Sequence, residues 1–193
     1  MIVQADKKHY STQEYLELEL ASEARSEYRD GEIVPMTGGT PNHNDIAGNL
    51  YILLKTALKT KNYRTFYTDQ RLWIPAVNLY TYPDVMVVPK PIELQTGRTD
   101  TVVNPCLIAE VLSKSTQNHD RGEKFVAYRT ISSFQEYVLI DQYRIRVEHH
   151  VRTAVNQWLL SEFDDPTATL TLGAVGVEIQ IAQLYEGIDF SET

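Results

Sequence analysis

This chain of 193 residues predicts a mixed α/β (α+β) fold, a mixed central sheet flanked by helices, and three patterns carry the prediction. First, YPDVMVVP at 82–89 and CLIAEVLSKST at 106–116 are short β-branched and aliphatic runs bounded by proline and by a Ser/Thr cluster, which read as strands. Second, the strand-like run 106–112, a helical pattern over 120–131 and EYVLID at 136–141 form a strand-helix-strand unit. A crossover of that length favours two parallel strands in one sheet. Third, NDIAGNLYILLKTALKTK sets Ile46, Leu50, Leu53 or Leu54 and Leu58 at helical spacing, an apolar stripe that must pack on the sheet.

The other elements follow in order. Residues 11–24 read as a short helix, with Ser11 or Thr12 as N-cap and Glu14 in the first turn. In SEYRDGEIVPM, Asp30-Gly31 between Tyr28 and Ile33-Val34 signals a tight hairpin. TGGTPNH reads as a loop before the long helix. YRTFYT, QRLWIPA and YPDVMVV are then strand-like, with a turn at Pro75-Ala-Val-Asn, and polar 90–104, carrying Pro91 and Gly97, reads as an exposed connection. Asp120 reads as the N-cap of the crossover helix, Glu123 as its capping-box partner, and Phe125, Tyr128 and Ile131 as its apolar stripe. RIRVEHHV and VNQWLLSEF alternate as an antiparallel hairpin, and short elements between Leu170 and Leu184 follow. No repeat or linker divides the sequence, so 1–193 reads as a single domain.

Composition excludes several classes. The 42% hydrophobic and 23% charged fractions are those of a soluble globular protein. The one cysteine, Cys106, rules out a disulfide framework and points to the cytoplasm. The first thirty residues hold no signal-type apolar core, and no run approaches the ~18 apolar residues of a membrane span, so no membrane partner is expected. Gly38-Gly39 is followed by no Gly-Lys-Ser/Thr element, against a nucleoside-triphosphate enzyme. His9, His119, His149 and His150 show no metal-ligand spacing, against zinc. The net charge of −8 opposes a nucleic-acid partner, because phosphate contacts call for a basic face; acidic residues focused in a metal site account for part of it.

Strand alternation puts Asp84 on the face of Met86 and Val88, and Glu110 on the face of Ile108 and Leu112, so each carboxylate points where a hydrophobe is expected. Buried carboxylates on neighbouring strands repel unless something positive lies between them, and a divalent metal and Lys124 are the candidates. Each residue also has an ordinary reading. Asp84 can cap its own turn after Pro83, Glu110 can form a buried ion pair, and Lys124 can cover apolar surface from the helix edge. Glu27 and Glu32 can be solvated hairpin carboxylates, and His43 can cap a loop.

YPDVMVV, AEVLSKST and DRGEKFVAYRTISSFQEYVLID resemble the core of the Uma-two family of putative restriction endonucleases, similar to the PD-(D/E)XK nuclease superfamily. The resemblance extends from SEYRDGEIVPM through TPNHNDIAGNL to LTLGAVGVEIQIAQLY. It implies a restriction-endonuclease-like core and a metal-dependent endonuclease hydrolysing DNA phosphodiester bonds. Mg²⁺ or Mn²⁺ would be held by Asp84, Glu110 and the Val111 carbonyl. The chain departs from the superfamily's pattern at Leu112, where a lysine is expected two residues after Glu110; in this family the lysine has moved to the next helix, here Lys124. Lys114 is the rival, since alternation puts it on the face of Glu110, but Ser113 and Ser115 mark the end of the strand and the family usually has proline there. Glu27 stands at a glutamate that precedes Asp-Gly-Glu in the family, with Ser26 in place of a tyrosine, and is the candidate for an extra site carboxylate, Glu32 being the reserve. His43 matches a histidine common in the family. DNA is the implied partner, and the sequence leaves the oligomeric state open, a homodimer being the arrangement in which related nucleases often cut two strands. The alternative is a nuclease fold kept as a binding or regulatory module.

Overall fold

A computed structural model describes residues 8–192. Its principal sheet has six strands in the order β11-β10-β9-β8-β6-β3. These are β3 (Tyr63–Tyr67), β6 (Val85–Pro89), β8 (Leu107–Leu112), β9 (Glu136–Asp141), β10 (Val147–Ala154) and β11 (Gln157–Phe163). β8 and β9 are parallel and every other neighbour pair is antiparallel, so the sheet is mixed and the helical crossover joins parallel neighbours as expected.

Helices cover the two faces. On one lies α2 (Pro41–Ala57), whose buried Ile46, Leu50 and Leu54 pack with Val85, Val87, Leu107 and Ala109. Each such leucine contributes ~1.5–3 kcal/mol by leaving water. A small hairpin, β12 (Thr169–Leu172) with β13 (Val177–Gln180), and the turn of helix Ile181–Leu184 complete that face. On the other lies α3, which runs through Gln117–His119, a π-turn at Asp120–Lys124 and Phe125–Tyr128. Its Ala127 and Tyr128 pack with Met86, Ile108, Leu112 and Tyr137.

The sequence reading supplies the 26–35 hairpin and the 71–74 strand but not the second, five-stranded sheet that they join. Its order is β2-β1-β5-β4-β7, from β1 (Ser26–Arg29), β2 (Glu32–Pro35), β4 (Arg71–Ile74), β5 (Leu79–Thr81) and β7 (Thr101–Val102). α1 (Thr12–Ala21), capped by a Ser11/Glu14 capping box, buries Tyr15 against Tyr28 and Tyr80 of this sheet. The hairpin turn is built as read: Asp30 (φ 42°) and Gly31 (φ 99°) both adopt the left-handed region that a two-residue turn of this hand requires. Gly31 is further constrained by the His9 ring, which would lie 2.1 Å from an added Cβ.

Three local expectations are corrected. α2 begins at Pro41 with Thr40 as N-cap, so His43 lies in its first turn and not in a loop; Thr40-Pro41 was the start signal. The 90–104 segment contains β7, whose two residues are buried and pair with β4 in parallel. Asp120 does not cap α3, which starts three residues earlier; Asp120 is helical (φ −65°, ψ −44°) and buried. The reason for that last difference lies in the site.

Candidate active site

Tyr82, Pro83 and Asp84 carry the chain from β5 in one sheet to β6 in the other, and this crossing places Asp84 beside Glu110 of β8. The Asp84 N–H donates to Glu110 Oε2 (3.2 Å), and the Val111 N–H donates to Asp84 Oδ2 (2.8 Å). The His43 Nε2, arriving from the first turn of α2, lies 3.3 Å from the same Asp84 oxygen. Burial alone would raise the Asp84 pKa, but His43, the Val111 N–H and Lys124 together lower it. Burial likewise works to lower the pKa of His43, and Asp84, with Glu110 behind it, raises it overall.

Glu110 is 2% exposed in a central strand. Its Oε1 accepts from Lys124 Nζ (3.1 Å) and from the Tyr128 hydroxyl (2.7 Å), both carried by α3. Burial drives its pKa up to about 8; Lys124 opposes the rise, while Asp84 and Asp120 add to it. Lys124 is itself 8% exposed, and its ammonium touches Glu110 and Asp120 at 3.1 Å each and Glu27 at 3.5 Å. Burial would favour a neutral lysine, yet these carboxylates hold its pKa well above the ordinary value. Asp120 is thereby explained. Leaving a buried ammonium under-compensated costs several kcal/mol, whereas an uncapped helix start costs ~1 kcal/mol, so the aspartate turns inward to Lys124. The π-turn spans these two residues, and the Tyr137 hydroxyl donates to the Asp120 carbonyl (3.0 Å).

Glu27 reaches the cluster from β1 of the other sheet. Its Oε1 accepts from Thr81 Oγ1 (2.6 Å), and its Oε2 accepts from Arg29 Nε (2.9 Å) and Nη2. Burial would raise its pKa, but Lys124, Thr81 and Arg29 bring it down to about 2. Asp84, Glu110, Lys124, Glu27 and His43 thus converge, although the chain separates them widely. Glu32, across the turn and opposite Arg29 in the strand register, is exposed. Lys114 is exposed as well, its ammonium 4.7 Å from the centre of the Tyr143 ring.

Four neighbours escaped the sequence reading. Asp120 was signalled by its four-residue spacing from Lys124, Tyr128 by the next turn of the same helix, and Arg29 by its two-residue spacing from Glu27 on one strand face. The fourth, His119, bonds Glu123 through Nδ1 (2.9 Å), and its buried Nε2 stands 4.0 Å from Glu27 Oε2. No sequence signal marked it.

Among the described residues, no group of three or more His, Cys, Asp or Glu side chains is arranged as a metal cage. Asp84 and Glu110 nevertheless suit a hard divalent cation, which takes one or two carboxylates and completes its coordination with carbonyl, water and substrate oxygens. Asp84 and Glu110 lie side by side, and the repulsion that adds to the effect of burial in raising the Glu110 pKa is what such a cation offsets.

Comparison with known proteins agrees with this architecture. Residues 12–182 match the Uma2 family, described as putative restriction endonuclease. An uncharacterized protein of Synechocystis sp. is 43% identical over 162 residues, covering 84% of this chain and 92% of that protein. A second from the same organism is 31% identical over 180 residues, covering 93% of each. The crystal structure of a putative nuclease from Anabaena variabilis shares the fold, with a TM-score of 0.75 at 20% identity over 92% of this chain and 98% of that one.

Proposed function

The chain belongs to the Uma2 family of putative restriction endonucleases, and from that premise we propose that it is a metal-dependent endonuclease hydrolysing DNA phosphodiester bonds. The observation that carries the reading is the pair Asp84, just ahead of β6, and Glu110 of β8, joined by a hydrogen bond, with Lys124 3.1 Å from Glu110. In this proposal Asp84 and Glu110 hold Mg²⁺ or Mn²⁺ together with the Val111 carbonyl. In an extended strand the N–H and C=O of one residue face the same side, and the Val111 N–H faces Asp84, which supports that choice. When bound, the ion supplies positive charge that polarises the scissile phosphate and lowers the pKa of a bound water.

The chain's own groups divide the remaining work. His43 orients Asp84 through its 3.3 Å contact, and Tyr128 fixes the rotation of Glu110 by donating to Oε1. Lys124 offers a fixed positive charge toward the negative charge that develops on the phosphate oxygens. Glu27 and Asp120 hold that ammonium in place. Cutting both strands of a duplex calls for two such sites, which a homodimer supplies.

The test is a cleavage assay on supercoiled and branched DNA with Mg²⁺ or Mn²⁺, comparing wild type with Asp84→Ala. Metal-dependent nicking that disappears in the variant supports the proposal, and equal nicking by both defeats it. A second reading, a nuclease fold retained for binding or regulation, draws on the Lys124 ammonium being already engaged by three carboxylates and on the net charge of −8. DNA binding without cleavage under every metal condition would favour it.

A further inference from the structure

Resting on the nuclease reading above, we infer that Arg29 is the residue that anchors a substrate phosphate at the mouth of the site. The problem it answers is electrostatic. Glu110, Asp120 and Glu27 close on the ammonium of Lys124 and Asp84 lies beside Glu110, so a polyanion approaching the metal-free site meets four carboxylates around one lysine. A cation that can touch the incoming backbone has to be accessible, and the cationic side chains in contact with the cluster differ in that respect. The side chain of Lys124 is 10% exposed, that of His43 16% and that of Arg29 33%.

Arg29 also has the right support. It stands two residues from Glu27 on the same face of β1, and both Nε and Nη2 donate to Glu27 Oε2, while Glu27 itself is only 5% exposed. The guanidinium therefore bridges from a buried carboxylate to the surface in a fixed plane, and a planar fork of donors matches phosphate geometry where an ammonium acts as a point charge. His119, whose Nε2 lies 4.0 Å from Glu27 Oε2, has its pKa lowered by burial, by Arg29 and by Lys124. The arrangement gives the five-stranded sheet a purpose. One face of β1 carries both Glu27, buried against Lys124, and Arg29, which extends from Glu27 to the surface.

The experiment measures binding of a fluorescein-labelled DNA duplex with a single-stranded overhang by anisotropy across a salt series, in the Asp84→Asn background so that cleavage does not interfere. Arg29→Gln is expected to weaken binding roughly tenfold at low salt and to reduce the slope of log affinity against log salt by about one, the signature of one lost phosphate contact. Arg29→Lys should restore the slope but not the full affinity, because it keeps the charge and loses the fork. A merely structural role for Arg29 would lower thermal stability and leave the slope unchanged. Binding by the background protein with the same affinity and slope in Arg29→Gln overturns the Arg29 assignment and leaves the nuclease reading standing. Absence of DNA binding by both wild type and background overturns the nuclease reading, and the inference with it.

Discussion

Asp84 and Glu110 brace one another's strands: the Asp84 N–H donates to the Glu110 carboxylate at 3.2 Å, and the N–H of Val111, next to Glu110, donates to the Asp84 carboxylate at 2.8 Å. Each side chain thus fixes the backbone that carries the other, and the spacing between the carboxylates is set by the sheet and not by flexible rotamers.

Asp84→Asn and Glu110→Gln should each remove Mn²⁺ binding while the protein stays folded, because amides keep the shape and most of the hydrogen bonds. Glu110→Gln is expected to raise the metal-free melting temperature, since it removes a carboxyl that burial and Asp84 disfavour as an anion. Calorimetric Mn²⁺ titration and thermal denaturation check both points; unchanged affinity in either variant would sink the metal-site assignment.

Lys124→Ala should cost stability as well as turnover. Removing the ammonium leaves Glu110, Glu27 and Asp120 facing one another in a buried space, a loss of ~3–5 kcal/mol. Below the lowered melting temperature, kcat should fall ~100-fold or more with metal affinity little changed, because a charge facing the transition state is lost and not a ligand. Equal loss of metal affinity and kcat would instead make Lys124 a support for the ligands.

Glu27 predicts an acid-sensitive component of stability. Its folded pKa of about 2 lies below its ordinary 4.5, so the contribution is fully present above about pH 4.5 and is lost as pH falls toward 2. The shift corresponds to ~3 kcal/mol. Urea midpoints of wild type and Glu27→Gln should therefore converge over that window. A gap that stays constant from pH 5 to 2 would contradict the assignment.

Tyr128→Phe should destabilise the fold by ~1–3 kcal/mol, because the Glu110 oxygen that accepts its hydroxyl is buried and loses a partner. Chemical denaturation measures the loss directly, and a change below ~0.5 kcal/mol would mean that Glu110 finds another donor.

The six-stranded sheet was legible because its strands are continuous apolar runs and because a helical crossover between strands has one favoured hand. Asp84, Glu110 and Lys124 were legible as charges in apolar settings. The five-stranded sheet was not, since β5 and β7 are three and two residues long and offer no period to read. Asp120 was misread for a physical reason: the same residue type serves as an N-cap and as a partner for a buried lysine, and only the tertiary position of Lys124 decides between them. The Asp30-Gly31 turn was read correctly, but nothing local says that Glu27 is buried against Lys124 while Glu32 stays exposed.

The separation of the site's contributors bears on how the protein is made. Glu27 comes from one sheet, His43 and Lys124 from helices on opposite faces of the other, and Asp84 from the segment that joins the sheets. Such contacts between distant parts of the chain form late, after shorter loops have closed. A nascent or partly unfolded chain therefore lacks the assembled charge cluster, and whatever chemistry the cluster performs waits until both sheets have docked.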